Sequence, residues 1–179
     1  MPSTKPNPAS RFLKFARTGL VYLLIFVLAG LAGNLWLSRH QATGPAPPVI
    51  GQNLQGDLTR LDLSTTDSAV LLYFFADWCP ICKVQHSAIE TVAGIYPVYA
   101  IAMQSGDLDN VRAYVREAGL EFPVINDLSG EVSASYGVHG VPASFILDRD
   151  GQIRFSTRGY ASSVGLLARL WLADTEIMR

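Results

Sequence analysis

Cysteine is scarce in this chain: there are two in 179 residues, Cys79 and Cys82. So few exclude a disulfide-rich secreted scaffold. They also leave a structural zinc site, which wants four Cys or His ligands, short of donors. Histidine is sparse as well, with only the scattered His40, His86 and His139, which argues against a metal-rich protein. Acidic residues are missing before Asp57, while Lys5, Arg11, Lys14 and Arg17 all precede the first long apolar run. From Ser38 onward there are 10 basic and 15 acidic side chains, a net charge of −5. That balance argues against a nucleic-acid-binding face, which needs clustered Lys and Arg. Internal repeats are absent too.

What is present is a hydrophobic fraction of 49%, enough for one domain with a real core plus an extension. Residues 18–37, TGLVYLLIFVLAGLAGNLWL, carry no charge over 20 positions. A helix of that length, at about 1.5 Å per residue, spans roughly 30 Å, the hydrocarbon thickness of a bilayer. The expectation is a single transmembrane anchor over 18–37 behind a short cytoplasmic segment, 1–17. Four basic residues before the run and only Arg39 close behind it orient the N-terminus inward. A cleaved signal peptide, with Ala32 near its cleavage point, is the competing reading. The length of the run and Trp36 at its end favour the uncleaved anchor. A buried core helix fits poorly because the run has no polar face. Residues 38–48, with Pro45, Pro47 and Pro48, read as an extended tether.

From residue 49 to 179 strand-like and helix-like periods alternate, which predicts one α/β domain of three layers around a mixed sheet. Residues 49–63 hold two short strands around Gln55-Gly56-Asp57. AVLLYFFA, residues 69–76, is an apolar run typical of a strand buried on both faces. Ile81, Val84, Ala88, Ile89 and Val92 follow helical spacing up to Gly94. YPVYAIAM is a second buried strand. A helix capped by Asp107 or Asp109 and stopped by Gly119 comes next. FPVIN is a short strand and residues 129–136 a short helix. ASFILD and QIRFST flank Arg149-Asp150-Gly151 as a hairpin, and Ser162 or Ser163 starts a last helix carrying Leu166, Leu167, Leu170 and Trp171.

The two cysteines therefore fall where a buried strand ends and a helix begins. Cys79 sits at the helix N-terminal edge, with Pro80 in the first turn where a missing N–H is harmless. Unpaired N–H groups and the positive dipole end favour a thiolate there. Cys82, three residues on, shares its helical face, lies within disulfide reach and is the more buried by position. Lys83 reads either as a further favourable charge or as a solvated helix residue, and His86 as a histidine on the helix surface. A purely structural disulfide over so short a loop contributes little stability, and metal binding lacks ligands. A reactive dithiol needs only this pair, and that reading is preferred.

YFFADWCPICK resembles the active-site segment of thioredoxin-fold proteins, and GVHGVPASFILDRDGQI resembles their cis-proline loop and following hairpin. The chain is similar to the membrane-anchored, extracytoplasmic TlpA/ResA/DsbE group of thioredoxin-like proteins, with the copper-sensitivity suppressor (ScsD-like) branch nearest in pattern. The resemblance implies a thioredoxin fold with an extra strand–helix insertion before the proline loop. It implies a thiol:disulfide oxidoreductase in which Cys79 attacks, Cys82 resolves, and Cys79–Cys82 is the redox disulfide. Pro142 would follow a cis bond, the backbone of Val141 would pair with substrate, and Trp78 would pack beside the site, in overlap with a core-aromatic role. No cofactor or metal is implied. The implied partners are extracytoplasmic proteins with disulfides or thiols and a DsbD-like transmembrane electron donor. The implied location is the bacterial inner membrane, with the catalytic domain in the periplasm. Reduction of substrates, in cytochrome maturation or copper tolerance, is the preferred direction over oxidation or isomerisation.

The sequence departs from the pattern at two points. Tyr73 stands six positions before Cys79, where many cytoplasmic thioredoxins carry a buried acid, and Pro80-Ile81 replaces Gly-Pro between the cysteines. With no carboxylate there and Asp77 expected to face solvent, water or substrate would deprotonate Cys82. The alternative function is a thioredoxin-fold copper-binding chaperone using Cys79, Cys82 and His139.

Overall fold

The computed structural model describes residues 42–64 and 66–175, together with Thr18, Gly19, Val21, Tyr22, Leu24, Ile25, Phe26 and Leu28. Those eight residues are helical and exposed, and belong to a unit, Met1–Arg39, separate from the unit His40–Arg179. Among the described residues no helix is long and apolar enough to cross a membrane. The expected cytoplasmic segment 1–17, most of the expected anchor 18–37 and the start of the expected tether lie outside the described residues.

The larger unit carries one mixed sheet of eight strands. In chain order they are β1 (Gly44–Pro45), β2 (Val49–Asn53), β3 (Leu58–Leu61), β4 (Val70–Phe75), β5 (Val98–Met103), β6 (Val124–Asp127), β7 (Ala143–Leu147) and β8 (Gln152–Arg158). Across the sheet the order is β1-β8-β7-β4-β5-β6-β2-β3. β4, β5 and β6 run parallel; the other pairings are antiparallel. Four helices complete the unit: α1 (Pro80–Ala93), α2 (Leu108–Ala118), α3 (Glu131–Ser135) and α4 (Ser163–Asp174). The two strand–helix units expected between the active-site helix and Pro142 are β5-α2 and β6-α3.

β4 explains the layering. All six of its residues are buried, so each face of the strand must be covered by something apolar. Leu71, Tyr73 and Phe75 share one core with Ile89 and Val92 of α1, Val111 and Val115 of α2 and Leu166 and Leu170 of α4. Val70, Leu72 and Phe74 share a second with Val132 of α3 and Tyr136. The period-two alternation of a strand thus builds the expected three layers.

Helix boundaries follow local chemistry. The Asp107 side chain accepts from the Asn110 N–H and caps α2, and Gly119 closes it in a left-handed conformation at φ 65°. Ser162 caps α4. The β7–β8 hairpin turns at Gly151, φ 69°, where any Cβ would run into the Leu63 carbonyl.

Three sequence expectations are corrected. The buried stripe of α1 is Cys82, Gln85, His86, Ala88, Ile89 and Val92, whereas Ile81 and Val84 are exposed. Positions 82, 85/86, 89 and 92 keep a 3.6-residue spacing on one line; 81 and 84 fall to its flank. Trp171 of α4 is likewise exposed. From Ala42 the expected tether is docked. Gly44 and Pro45 pair with Ile153 and Gln152, the Ala46 N–H donates to the Gly151 carbonyl, and the Tyr136 hydroxyl donates to the Pro47 carbonyl at 2.7 Å. Proline is admissible in β1 because it is an edge strand.

Gln85 ties α1 to the segment leading into α4. Its Nε2 donates to the Ala161 carbonyl at 2.7 Å and its Oε1 accepts from the Ala161 N–H at 2.8 Å, all of it buried. Replacement by Leu strands two buried backbone groups, each worth about 1–3 kcal/mol. Gln85→Leu is therefore expected to lower stability by roughly 2–4 kcal/mol. Urea unfolding of the oxidised protein measures it, and a loss below about 0.5 kcal/mol, the size of an ordinary surface change, would contradict this role.

Candidate active site

The turn from β4 to α1 carries both cysteines. Cys79 is the N-cap of α1, in extended conformation, and its Sγ accepts from the Cys82 N–H at 3.2 Å. Pro80 takes the first helical position. Cys79 and Cys82 are joined as a disulfide with Cα atoms 5.3 Å apart. Their exposures are 4% and 0%, so the expected ranking of burial holds. The Cys82 N–H, at the open end of the helix, is aimed at the atom that becomes anionic on reduction. This lowers the free energy of a Cys79 thiolate relative to its thiol.

The strand pairing brings the second half of the site. β7 lies antiparallel to β4 with Ala143 opposite Phe74, so the residues before Ala143 reach the end of β4. The Val141–Pro142 bond is cis. The Val141 carbonyl oxygen lies 3.6 Å from Cys79 Sγ. The Pro142 carbonyl accepts from the Gly159 N–H at 2.7 Å. Cys79, Cys82, Val141 and Pro142 are thus brought together as expected.

Trp78 is not a core aromatic: its side chain is 59% exposed, and its Nε1 donates to the Gln104 carbonyl at 3.3 Å. Gln104 is the one non-glycine residue among those described with a positive φ, 45°. The loop after β5 also reaches the site through Ser105, whose Oγ accepts from the Asp77 N–H, and the first turn of α2 does so through Asn110, whose Nδ2 donates to Asp77 Oδ2 at 3.0 Å. Asp77 is half-buried and held by these bonds. His139 is exposed in the loop before Pro142. Among the described residues no three His, Cys, Asp or Glu side chains are gathered to hold a metal ion, so His139 does not join the cysteines.

Beneath the cysteines lies an aromatic box that the sequence reading did not place. Tyr73 is fully buried and its hydroxyl donates to the Cys82 carbonyl at 3.4 Å. Burial holds its phenol protonated far above the ordinary tyrosine range. His86 is not a surface residue; it is 6% exposed. Its ring meets those of Tyr73, Phe75 and Tyr114 edge-on, with centroids 6.0, 5.7 and 5.8 Å away. Burial, with the Lys83 charge adding to it, lowers the His86 pKa to about 4. Lys83 Nζ itself lies over the Tyr114 ring, 6.0 Å from its centroid. A polar residue type predicts the surface, and only the spacing from Cys82 could have placed His86 inside.

The profile of the AhpC/TSA family matches residues 43–156. The chain belongs to that family. It is 31% identical over 124 residues to a Thioredoxin-like protein of Haemophilus influenzae, covering 69% of this chain and 74% of that one. It is 30% identical over 121 residues to the thiol-disulfide oxidoreductase ResA of Bacillus thuringiensis, covering 64% of this chain and 68% of the other. Among solved structures, a putative thiol:disulfide interchange protein DsbE from Chlorobium tepidum superposes with TM-score 0.62 at 26% identity, over 75% of this chain and 98% of that one. With the Cys79–Cys82 pair, these place the chain among thiol-disulfide oxidoreductases of the DsbE/ResA type, on the expected thioredoxin-like fold.

His86 has a measurable signature. Its folded pKa, about 4, lies below the unfolded value of 6.5. The unfolded chain therefore takes up a proton first as pH falls. The histidine leaves stability untouched above about pH 6.5 and costs on the order of 3 kcal/mol by pH 4. The difference in unfolding free energy between wild type and His86→Phe should shrink by that amount across the window. A difference constant with pH would show that His86 is not buried neutral.

Proposed function

We propose that this protein is a membrane-anchored reductant of disulfides in extracytoplasmic proteins. The observation that carries the reading is the Cys79–Cys82 disulfide at the N-terminus of α1, with Cys79 Sγ beside the cis Val141–Pro142 edge. Cys79 is the nucleophile. As thiolate it attacks one sulfur of a substrate disulfide, forming a Cys79–substrate bond and releasing the other substrate sulfur as thiolate. The backbone of Val141 pairs with the substrate chain, and the exposed Trp78 indole flanks it. Cys82, ionised, then attacks Cys79 Sγ and expels the remaining substrate thiol, which regenerates Cys79–Cys82. Two electrons and two protons pass to substrate in each cycle.

The uncharged run 18–37 and the basic residues before it support an anchor in the bacterial inner membrane, with the catalytic domain in the periplasm. There a DsbD-like transmembrane carrier is the electron donor. Likeness to a thiol:disulfide interchange protein supports disulfide exchange, and we read its direction as reduction, in cytochrome maturation or, for an ScsD-like protein, in copper tolerance.

Trapping tests this. The Cys82→Ala variant of the full chain is expected to accumulate mixed disulfides through Cys79, visible on non-reducing gels and lost with Cys79→Ser. Their identity separates cytochrome maturation from copper tolerance, and their dependence on an electron donor gives the direction. If no Cys79 adduct forms under either oxidising or reducing conditions, the mechanism is wrong.

A further inference from the structure

Cys82 poses a problem that the cysteines alone do not solve. Its side chain is 0% exposed, and it attacks only after losing a proton, since the thiolate is the nucleophile. Burial in apolar surroundings opposes that loss. The inward position of β4 nearest to it holds Tyr73, a phenol kept protonated by burial. Gln85, beside it on α1, is an amide with both ends engaged by Ala161.

His86 stands one helical turn beyond Cys82 on the same buried stripe of α1. At that spacing the two Cβ atoms are about 5–6 Å apart. Its Nε2 is buried and has no hydrogen-bond partner. An orphaned buried polar atom costs about 1–3 kcal/mol, so the open nitrogen is a cost that the fold carries at this position. The residue also lines a groove of about 410 Å3 between α1 and α2, shared with Lys83, Glu90, Tyr114 and Glu117. A proton taken up beneath the cysteines therefore has an exit that avoids the substrate side.

We infer that His86 is the proton acceptor for Cys82 in the resolving step. The inference rests on Cys82 being the resolving thiol. The Cys82 proton passes to the imidazole as Cys82 Sγ attacks Cys79 Sγ. The Cys79–substrate S–S bond breaks, the Cys79–Cys82 bond forms, and the electron pair leaves on the substrate sulfur. The imidazolium then gives its proton to water through the groove, and the substrate thiolate takes one from solvent.

The surroundings suit this. Lys83 on the same helix opposes a charge on His86; Tyr73 on β4 and Tyr114 on α2 are neutral. Glu90 of α1 and Glu117 of α2 stand along the same groove. Burial, with the Lys83 charge adding to it, keeps the ring unprotonated at working pH, and the two carboxylates, which favour a cation, line the path by which its proton leaves. The thiolate forming one turn away supplies the opposite charge that favours the imidazolium for the moment it is needed.

Single-turnover reaction of the reduced full-length protein with glutathione disulfide, acid-quenched at intervals, separates the two steps. The Cys79–glutathione adduct rises with attack and falls with resolution. His86→Phe keeps an aromatic ring in the box. It is expected to slow the fall by roughly 10²- to 10⁴-fold at pH 7, the usual worth of a positioned base. Its rate should then rise about tenfold per pH unit, as hydroxide replaces the base, while the rise of the adduct is unchanged. His86→Ala, opened toward the groove, should be slowed similarly and regain speed in proportion to added imidazole. An unchanged fall in His86→Phe, equal slowing of both steps, or no rescue of a natively folded His86→Ala overturns the inference. If wild type and Cys82→Ser lose the adduct equally fast, Cys82 does not resolve and the inference falls with that assignment.

Discussion

The structure depends first on the pairing of β7 with β4, with Ala143 opposite Phe74 and Ser144 opposite Tyr73. Because side chains alternate along a strand, a slip of β7 by one residue would turn Phe145 from one core into the other. The same register sets the chemistry. Pro142 precedes Ala143 by one residue, so it arrives at the level where β4 ends and the cysteine turn begins. The meeting of Cys79 with Val141 is thus settled by backbone hydrogen bonds in a sheet buried on both faces, among the least deformable parts of any fold.

On that frame the two cysteines are made unlike one another. One is a helix cap whose sulfur receives a backbone N–H; the other is sealed between α1 and the aromatic side chains of β4. Electrostatics favours an anion at the first and burial opposes one at the second. The order of reaction proposed above rests on that difference in environment, not on any difference in the thiols themselves.

Much of this was legible in the sequence where signals are local. Continuous apolar runs, caps such as Asp107 and Ser162, and Gly119 in its left-handed conformation announce themselves within a few residues. The cysteine pair and Pro142 are legible for the same reason, together with family resemblance. What escaped depends on tertiary context. Gln85 and His86 are polar types that read as surface, yet they sit on the stripe begun by Cys82. Trp78, expected beside the site in overlap with a core-aromatic role, is pointed outward by the turn, and the Gln104 carbonyl holds it there. Gly44 and Pro45 read as linker because nothing nearby reveals that β8 leaves an open edge for them.

The short segment 159–161 is bonded both to the proline loop and to α1. Its Gly159 N–H grips the Pro142 carbonyl, and its Ala161 grips both ends of the Gln85 amide on α1. Two halves of the site that lie 62 residues apart in sequence are thus clamped by a third segment that contributes no reactive group. The spacing of Cys79 from Val141 is held from outside the site, as a buttress holds an arch it does not belong to.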